Sequence, residues 1–150
     1  MKILVTFAVD AEFAAWRRKN RFRLVTRQPF SLYAGEIGGS SLRVLLTGIG
    51  NDSAAEAIRW GLAGPTDLCI SSGFAGALRQ DLRTADLVAA RVVCRAGWEL
   101  AVASDRQLFA AACDLGARPV DRFITTTHVV TSIEEKSILS SEADAIEMES

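Results

Sequence analysis

The sequence predicts an α/β fold, and three observations carry that prediction. Apolar runs of strand length alternate along the chain with stretches of helical period. The first run, residues 3–9, is nearly all apolar, as a strand buried on both faces must be. Turn and cap residues, among them Gly38-Gly39, Asn51-Asp52, Gly64-Pro65 and Gly116, fall where these patterns change over.

The elements follow in order. Residues 3–9 form a strand, and residues 10–18 a short helix with Phe13 and Trp16 on one face and Arg17 and Arg18 at its end. Residues 30–37 and 42–47 read as a hairpin whose turn is Gly38-Gly39-Ser40-Ser41. Asn51 and Asp52 offer N-cap chemistry for a helix running to about Leu62, with Ala55, Ile58 and Leu62 as its apolar stripe. Gly64-Pro65 stops it. Residues 67–72 and 86–93 are strands. Residues 106–115 form a helix with Leu108, Ala111, Ala112 and Leu115 inward, closed by Gly116. Residues 123–126 are a strand. Ser132-Ile133-Glu134-Glu135 is a capping box that opens a helix to about Leu139, and residues 143–148 begin a final strand. No repeat, linker or low-complexity segment interrupts this order, so the chain is a single domain or part of one.

Composition narrows the function classes. A chain of 150 residues, 49% hydrophobic and 23% charged, is one ordinary domain and excludes disorder. Seventeen Lys+Arg against 18 Asp+Glu give a net charge of −1, without the basic surplus that nucleic-acid binding requires. The cluster Arg17, Arg18, Lys19, Arg21 and Arg23 reads as a solvated helix end and turn. No apolar run approaches a membrane span, and the opening run is cut by Asp10 and Glu12 without a cleavage site, so it is a strand rather than a leader. Cys69, Cys94 and Cys113 are odd in number, far apart and without a CxxC, which fits a reduced, cytoplasmic protein. One His and three scattered Cys weigh against structural zinc. The segment 145–150 is apolar and acidic, without a basic last turn or Gly stop, and reads as a chain that is incomplete at its C-terminus.

Four places combine polar chemistry with a strand end, where open α/β sheets bind ligands. At Val9-Asp10-Ala11-Glu12-Phe13 a carboxylate either favours the helix dipole or emerges from the sheet as a general base. At Thr47-Gly48-Ile49-Gly50-Asn51 paired glycines allow close backbone approach to a ligand or simply make a turn; the dinucleotide fingerprint fails because Ser53 stands where it needs Gly. Ser71-Ser72-Gly73-Phe74-Ala75-Gly76-Ala77-Leu78 is either a loop whose amides face a substrate or a plain connection, and it is not a Walker loop. In Glu147-Met148-Glu149-Ser150 two carboxylates share one face of an extended segment, fit for hydroxyl-rich or basic ligands or for a surface strand end. His128, beside Val129 and Val130 without a nucleophile motif, reads as structural, and Trp16, Trp60 and Trp98 as core or interface.

Taken together and in this order, the segments Phe-Ala-Val-Asp-Ala-Glu-Phe, Thr-Gly-Ile-Gly, Ser-Gly-Phe-Ala-Gly-Ala-Leu and Glu-Met-Glu-Ser, with Asp86-Leu87-Val88-Ala89 between, resemble the nucleoside phosphorylase/nucleosidase superfamily. Within it the chain is most similar to the 5'-methylthioadenosine/S-adenosylhomocysteine nucleosidases. The resemblance covers essentially the whole chain and roughly the first two thirds of the family's fold. It implies a three-layer αβα architecture with a mixed, twisted central sheet, lacking its C-terminal strand-helix portion. It also implies hydrolysis of the N-glycosidic bond of a 5'-modified adenine nucleoside, with no metal or organic cofactor. Residue by residue, Glu12 matches the carboxylate that activates water. Phe74, Ala75 and Gly76 match the loop passing purine and ribose, and Val129 and Val130 the segment bounding the base. Met148 matches the residue packed on the sugar, Glu149 the carboxylate gripping the ribose hydroxyls, and Ile49 a position near the 5' substituent. A homo-oligomer, dimer or larger, is implied as well, with neither nucleic acid nor membrane as partner.

The chain departs from the family pattern in three ways. The purine-protonating Asp belongs to a segment beyond Ser150. Val129 stands where many nucleosidases place an aromatic ring, and Phe74 replaces a smaller residue. Hydrolysis is preferred over phosphorolysis because Asp-Ala-Glu, not a Gly-rich phosphate loop, follows the first strand, and Ser71 stands where phosphorylases carry Arg. The alternatives are a purine nucleoside phosphorylase, a futalosine-type hydrolase, and a nucleoside-binding remnant without catalysis.

Overall fold

A computed structural model describes residues 1–97 and 101–150, so Trp98 lies outside the described residues. Among them are ten strands and four helices; the sequence pattern predicts the four helices and seven of the strands. No helix of the described residues is long and apolar enough to cross a membrane. The chain divides into two compact units, residues 1–74 with Glu149, and residues 75–148 with Ser150. The expected mixed sheet is realised as two mixed five-stranded sheets, one in each unit.

In the first unit β1 (Lys2–Phe7) lies between β4 (Ser40–Leu46) and β5 (Leu68–Ser71), parallel to both. Outside β4 come β3 (Leu32–Ile37) and β2 (Arg23–Thr26), antiparallel. The hairpin β3–β4 pairs Ile37 with Ser40, leaving Gly38 and Gly39 as a two-residue turn with φ of +56° and +74°. A turn that demands positive φ at both central positions is why glycine stands at each. Ser40 and Ser41, expected in the turn, therefore begin the strand. Alternation along the central strands makes the layers. Val5, Phe7 and Val44 face α1 (Asp10–Lys19), packing with its Phe13 and Trp16. Leu4 and Leu45 face α2 (Asn51–Leu62), packing with Ala57 and Trp60. Helix, sheet and helix are thus three layers within this unit.

The two helices are held differently. Phe13 is fully buried, with ring centroids of Phe22 and Tyr33 each at 5.2 Å and of Phe7 at 5.6 Å. Burying such a ring stabilises by about 1.5–3 kcal/mol. On α2 the apolar stripe is displaced by one residue from the expected one: Ala54, Ala57 and Gly61 are buried, whereas Ala55 and Leu62 are exposed. Close approach explains the correction, since a Cβ at Gly61 would stand 2.8 Å from Leu45 Cδ2. Small residues, not Leu62, let this helix lie down on the sheet. Its N-cap is Gly50, one position before the expected Asn51.

In the second unit β7 (Val88–Arg95) runs parallel to β9 (Arg118–Thr125) and antiparallel to β8 (Ala101–Ala103). β10 (Ala145–Glu147) pairs parallel with β9 and antiparallel with β6 (Gly76–Ala77). Leu78, Ile124, Val130, Ala143 and Ile146 form its core. α4 (Ile133–Leu139) starts where the capping box predicts, Ser132 Oγ accepting from Glu135 N at 3.1 Å. α3 (Arg106–Asp114) is capped by Asp105, but no residue in it is buried, and Leu108 and Leu115 are exposed rather than inward. Its Phe109 ring instead lies under the Arg91 guanidinium at 4.5 Å. The connection between β6 and β7 is fastened to β9 by Arg118, which donates to the Asp81 and Asp86 carboxylates, each at 2.5 Å, and to Asp81 O at 2.7 Å.

Candidate active site

The C-terminal ends of β4, β1 and β5 lie side by side, and β1 is the strand at which the chain changes direction across the sheet. Ligands of open α/β sheets bind at such a place. Backbone bonds keep the strand exits in register: Thr47 N donates to Phe7 O at 2.9 Å, Gly48 N to Ala8 O at 3.0 Å, and Ser72 N to Thr6 O at 3.0 Å. Each exit carries one of the motifs singled out in the sequence.

Glu12 is the third residue of α1, and its half-buried carboxylate turns back to the exit of β1. Oε2 accepts from Ala8 N at 2.8 Å and Val9 N at 3.3 Å, while Oε1 accepts from Phe74 N at 2.8 Å in the loop after β5. The bond to Val9 N is half of a capping box, so the structural and chemical readings of this carboxylate coincide. Asp10 has another assignment. It holds Arg17 through two bonds of 2.5 and 3.0 Å, and Arg17 in turn donates to Tyr33 Oη at 3.0 Å. Of the two acids at the start of α1, Glu12 is therefore the one facing the strand ends.

The exit of β4 is shaped by two glycines. Gly48 has φ of +79° and Gly50 φ of +94°, conformations that disfavour side chains. Ser53, on the first turn of α2, donates its hydroxyl back to Thr47 O at 2.5 Å and ties the turn to the helix. Gly50 N donates to Glu149 Oε1 at 3.0 Å, placing that carboxylate at the α2 N-terminus, where the helix dipole favours negative charge. Ile49, between the glycines, is 65% exposed. Phe74 is 75% exposed although its amide is engaged by Glu12.

The first unit thus brings Glu12 and Phe74 together, and places Glu149 at the turn holding Ile49. In the second unit Ala75, Gly76 and Val129 are exposed, Met148 is half-buried, and Val130 is buried among Leu78, Ile124 and Ile146. The two acids of the Glu-Met-Glu segment have different partners. The strand ends at Glu147, whose carboxylate accepts from Thr125 Oγ1 and, at 2.8 Å, from Ser150 N, whereas Glu149 accepts from Gly50 N. His128 meets Glu135 at 2.7 Å on the surface, in keeping with a structural role. Gly73 and Ser53 carry weight that no sequence pattern assigned them. The only signals were the glycine in the small-residue run after β5 and a serine three residues beyond Gly50.

A three-amide cradle leaves a carboxylate fixed in direction but able to take a proton from a water molecule. A carboxylate offers about four acceptor sites, and three of Glu12's are used by backbone N–H groups. The model of the Phosphorylase superfamily matches residues 2–150. No curated protein sequence matches the chain. Among solved structures, the chain is similar to 5'-methylthioadenosine/S-adenosylhomocysteine nucleosidase from Neisseria meningitidis in complex with methylthio-immucillin-A, with 25% identity, a TM-score of 0.85, and coverage of 99% of this chain and 76% of that one. It is similar in fold to a futalosine hydrolase mutant of Helicobacter pylori, at 20% identity and TM-score 0.88, covering 100% and 76%. The Helicobacter pylori nucleosidase mutant D198N with 5'-methylthioadenosine in its active site aligns at 20% identity and TM-score 0.84, covering 99% and 75%.

Proposed function

Because the chain belongs to the phosphorylase superfamily, we propose that it is an N-glycosyl hydrolase of purine nucleosides, acting on a 5'-modified adenine nucleoside of the methylthioadenosine or S-adenosylhomocysteine type. The observation that carries this reading is the Glu12 carboxylate at the end of β1, oriented by the amides of Ala8, Val9 and Phe74. Glu12 takes a proton from water as the water oxygen bonds to the anomeric carbon. The glycosidic C–N bond breaks, and its electron pair leaves with the purine, which takes a proton from solvent on a ring nitrogen. Positive charge develops on the ribose meanwhile, and fixed carboxylates stabilise it. Glu149 is assigned to the ribose hydroxyls and Ile49 and Phe74 to the apolar surroundings of the substrate. By resemblance, Ala75, Gly76, Val129, Val130 and Met148 are assigned to base and sugar contacts. The whole chain is read as one domain of this family, working in the cytoplasm as a homo-oligomer.

Water rather than phosphate is favoured as the nucleophile by one observation. The Gly50 amide at the start of α2 is engaged by Glu149, and a second negative group beside that carboxylate would be repelled. The test is incubation of the purified protein with 5'-methylthioadenosine, with and without inorganic phosphate, following free adenine. Release independent of phosphate supports hydrolysis. Release only with phosphate, accompanied by a sugar 1-phosphate, overturns it.

A further inference from the structure

We propose that the Gly73–Phe74 peptide is the positioning element of the reactive oxygen of Glu12, and that this oxygen is Oε1; the inference rests on the assignment of Glu12 as the base. The two carboxylate oxygens are not equivalent. Oε2 receives two N–H groups, from Ala8 at 2.8 Å and Val9 at 3.3 Å, which fill its two lone-pair directions. Oε1 receives one, from Phe74 N at 2.8 Å, so among the described residues it keeps an acceptor site for a water proton.

The residue before that amide is glycine for a reason that its φ does not supply. A Cβ at Gly73 would stand 2.8 Å from Glu12 Oε1, 3.1 Å from Cδ and 3.2 Å from Oε2. The three nearest atoms all belong to the Glu12 carboxyl group, the far end of a side chain. A methyl group at residue 73 is accordingly accommodated by moving the base and not by moving the fold. β1 and α1 set where Glu12 is rooted, and the missing side chain of Gly73 with the N–H of Phe74 sets where its Oε1 ends. Gly73 is a positioning residue.

The test is Gly73→Ala, alone and combined with Glu12→Asp, whose carboxylate is shorter by one methylene and withdraws from the added methyl. With 5'-methylthioadenosine as substrate, Gly73→Ala is expected to lower kcat about 10²-fold, the scale of a misplacement near 1 Å, with little change in KM. In the Glu12→Asp background the same substitution should change kcat by a factor near one, because the conflict is gone. A purely structural role for Gly73 would give the same factor in both backgrounds. The second readout needs no activity: in 15N–1H spectra of the whole protein, the Phe74 amide proton should move upfield in both Gly73→Ala and Glu12→Ala, on losing its carboxylate acceptor. Wild-type kcat in Gly73→Ala, or a Phe74 amide unmoved by Glu12→Ala, overturns the inference. If the wild-type protein releases no adenine while the amide shifts occur, the proposed function fails and the positioning of Oε1 stands.

Discussion

Replacing Gly48 by alanine puts a methyl carbon 2.5 Å from Ser53 Oγ, at a residue whose φ is +79°. Two penalties follow, and they separate. The left-handed backbone costs an L-residue about 1–2 kcal/mol. The methyl also expels the Ser53 hydroxyl from its 2.5 Å bond to Thr47 O, and an intramolecular hydrogen bond contributes about 0.5–1.5 kcal/mol. Gly48→Ala should therefore destabilise the protein by about 1.5–3.5 kcal/mol. Ser53→Ala alone should cost only about 1 kcal/mol. With Ser53 reduced to alanine, the nearest atom to the new methyl is the residue 53 Cβ at 3.4 Å, an ordinary contact. In that background Gly48→Ala should cost only the backbone share, leaving a coupling of about 1 kcal/mol between the two sites. Urea unfolding of the four proteins measures each value. Additivity within about 0.3 kcal/mol, or no destabilisation by Gly48→Ala, would refute the account of the turn that presents Gly50 to Glu149.

Other perturbations test the scaffold around that turn. Phe13→Ala empties the aromatic cluster that seats α1 and should cost about 3–5 kcal/mol, read as a lowered urea midpoint; a cost below about 1 kcal/mol would mean the helix is held by something else. The Arg118 clasp predicts a pH dependence. Hydrogen bonding from the Arg79 guanidinium holds Asp81 below the ordinary carboxylate range, and the backbone N–H of Arg83 and then Arg118 do the same for Asp86. Carboxylates whose folded affinity for protons is depressed stabilise the protein above the ordinary Asp pKa of about 3.9 and lose that effect as pH falls below it. Arg118→Met should lower the urea midpoint at pH 7, and the gap from wild type should narrow as pH falls below about 4 and in 1 M salt, since the groups are partly exposed. A gap that widens in acid would contradict the sign.

Much of this architecture was legible because it rests on local pattern. The all-apolar first strand, Phe13 and Trp16 three residues apart, and two consecutive glycines between strands each have a single physical solution, and those elements stand within a residue or two of expectation. Where the sequence misled, the deciding term was contact with something distant in the chain. The buried face of α2 is set by room against Leu4 and Leu45, so Ala54, Ala57 and Gly61 outrank the larger Ile58 and Leu62. β2, β6 and β8, at four, two and three residues, are strands through their partners rather than through any alternation of their own. The helical stripe of α3 is real as a pattern but is not buried: Leu108 is 39% exposed, and Leu115, just past the helix, 85%. The same division runs through the site. The place after a buried strand left Asp10 and Glu12 equivalent, and only the family resemblance singled out Glu12. In the structure the two are separated by Arg17, which lies seven residues from Asp10 and holds it. The role of Gly73 depended on the carboxyl group of Glu12, far away in sequence.

The most direct test of the account is adenine release from 5'-methylthioadenosine by wild type and Glu12→Gln at equal concentrations, with circular dichroism confirming that both are folded. The amide can still accept the Phe74 N–H but cannot take a proton from water, so kcat should fall by about 10²–10⁴-fold, the usual weight of a general base. Undiminished release by Glu12→Gln would contradict the assignment of this carboxylate as the base.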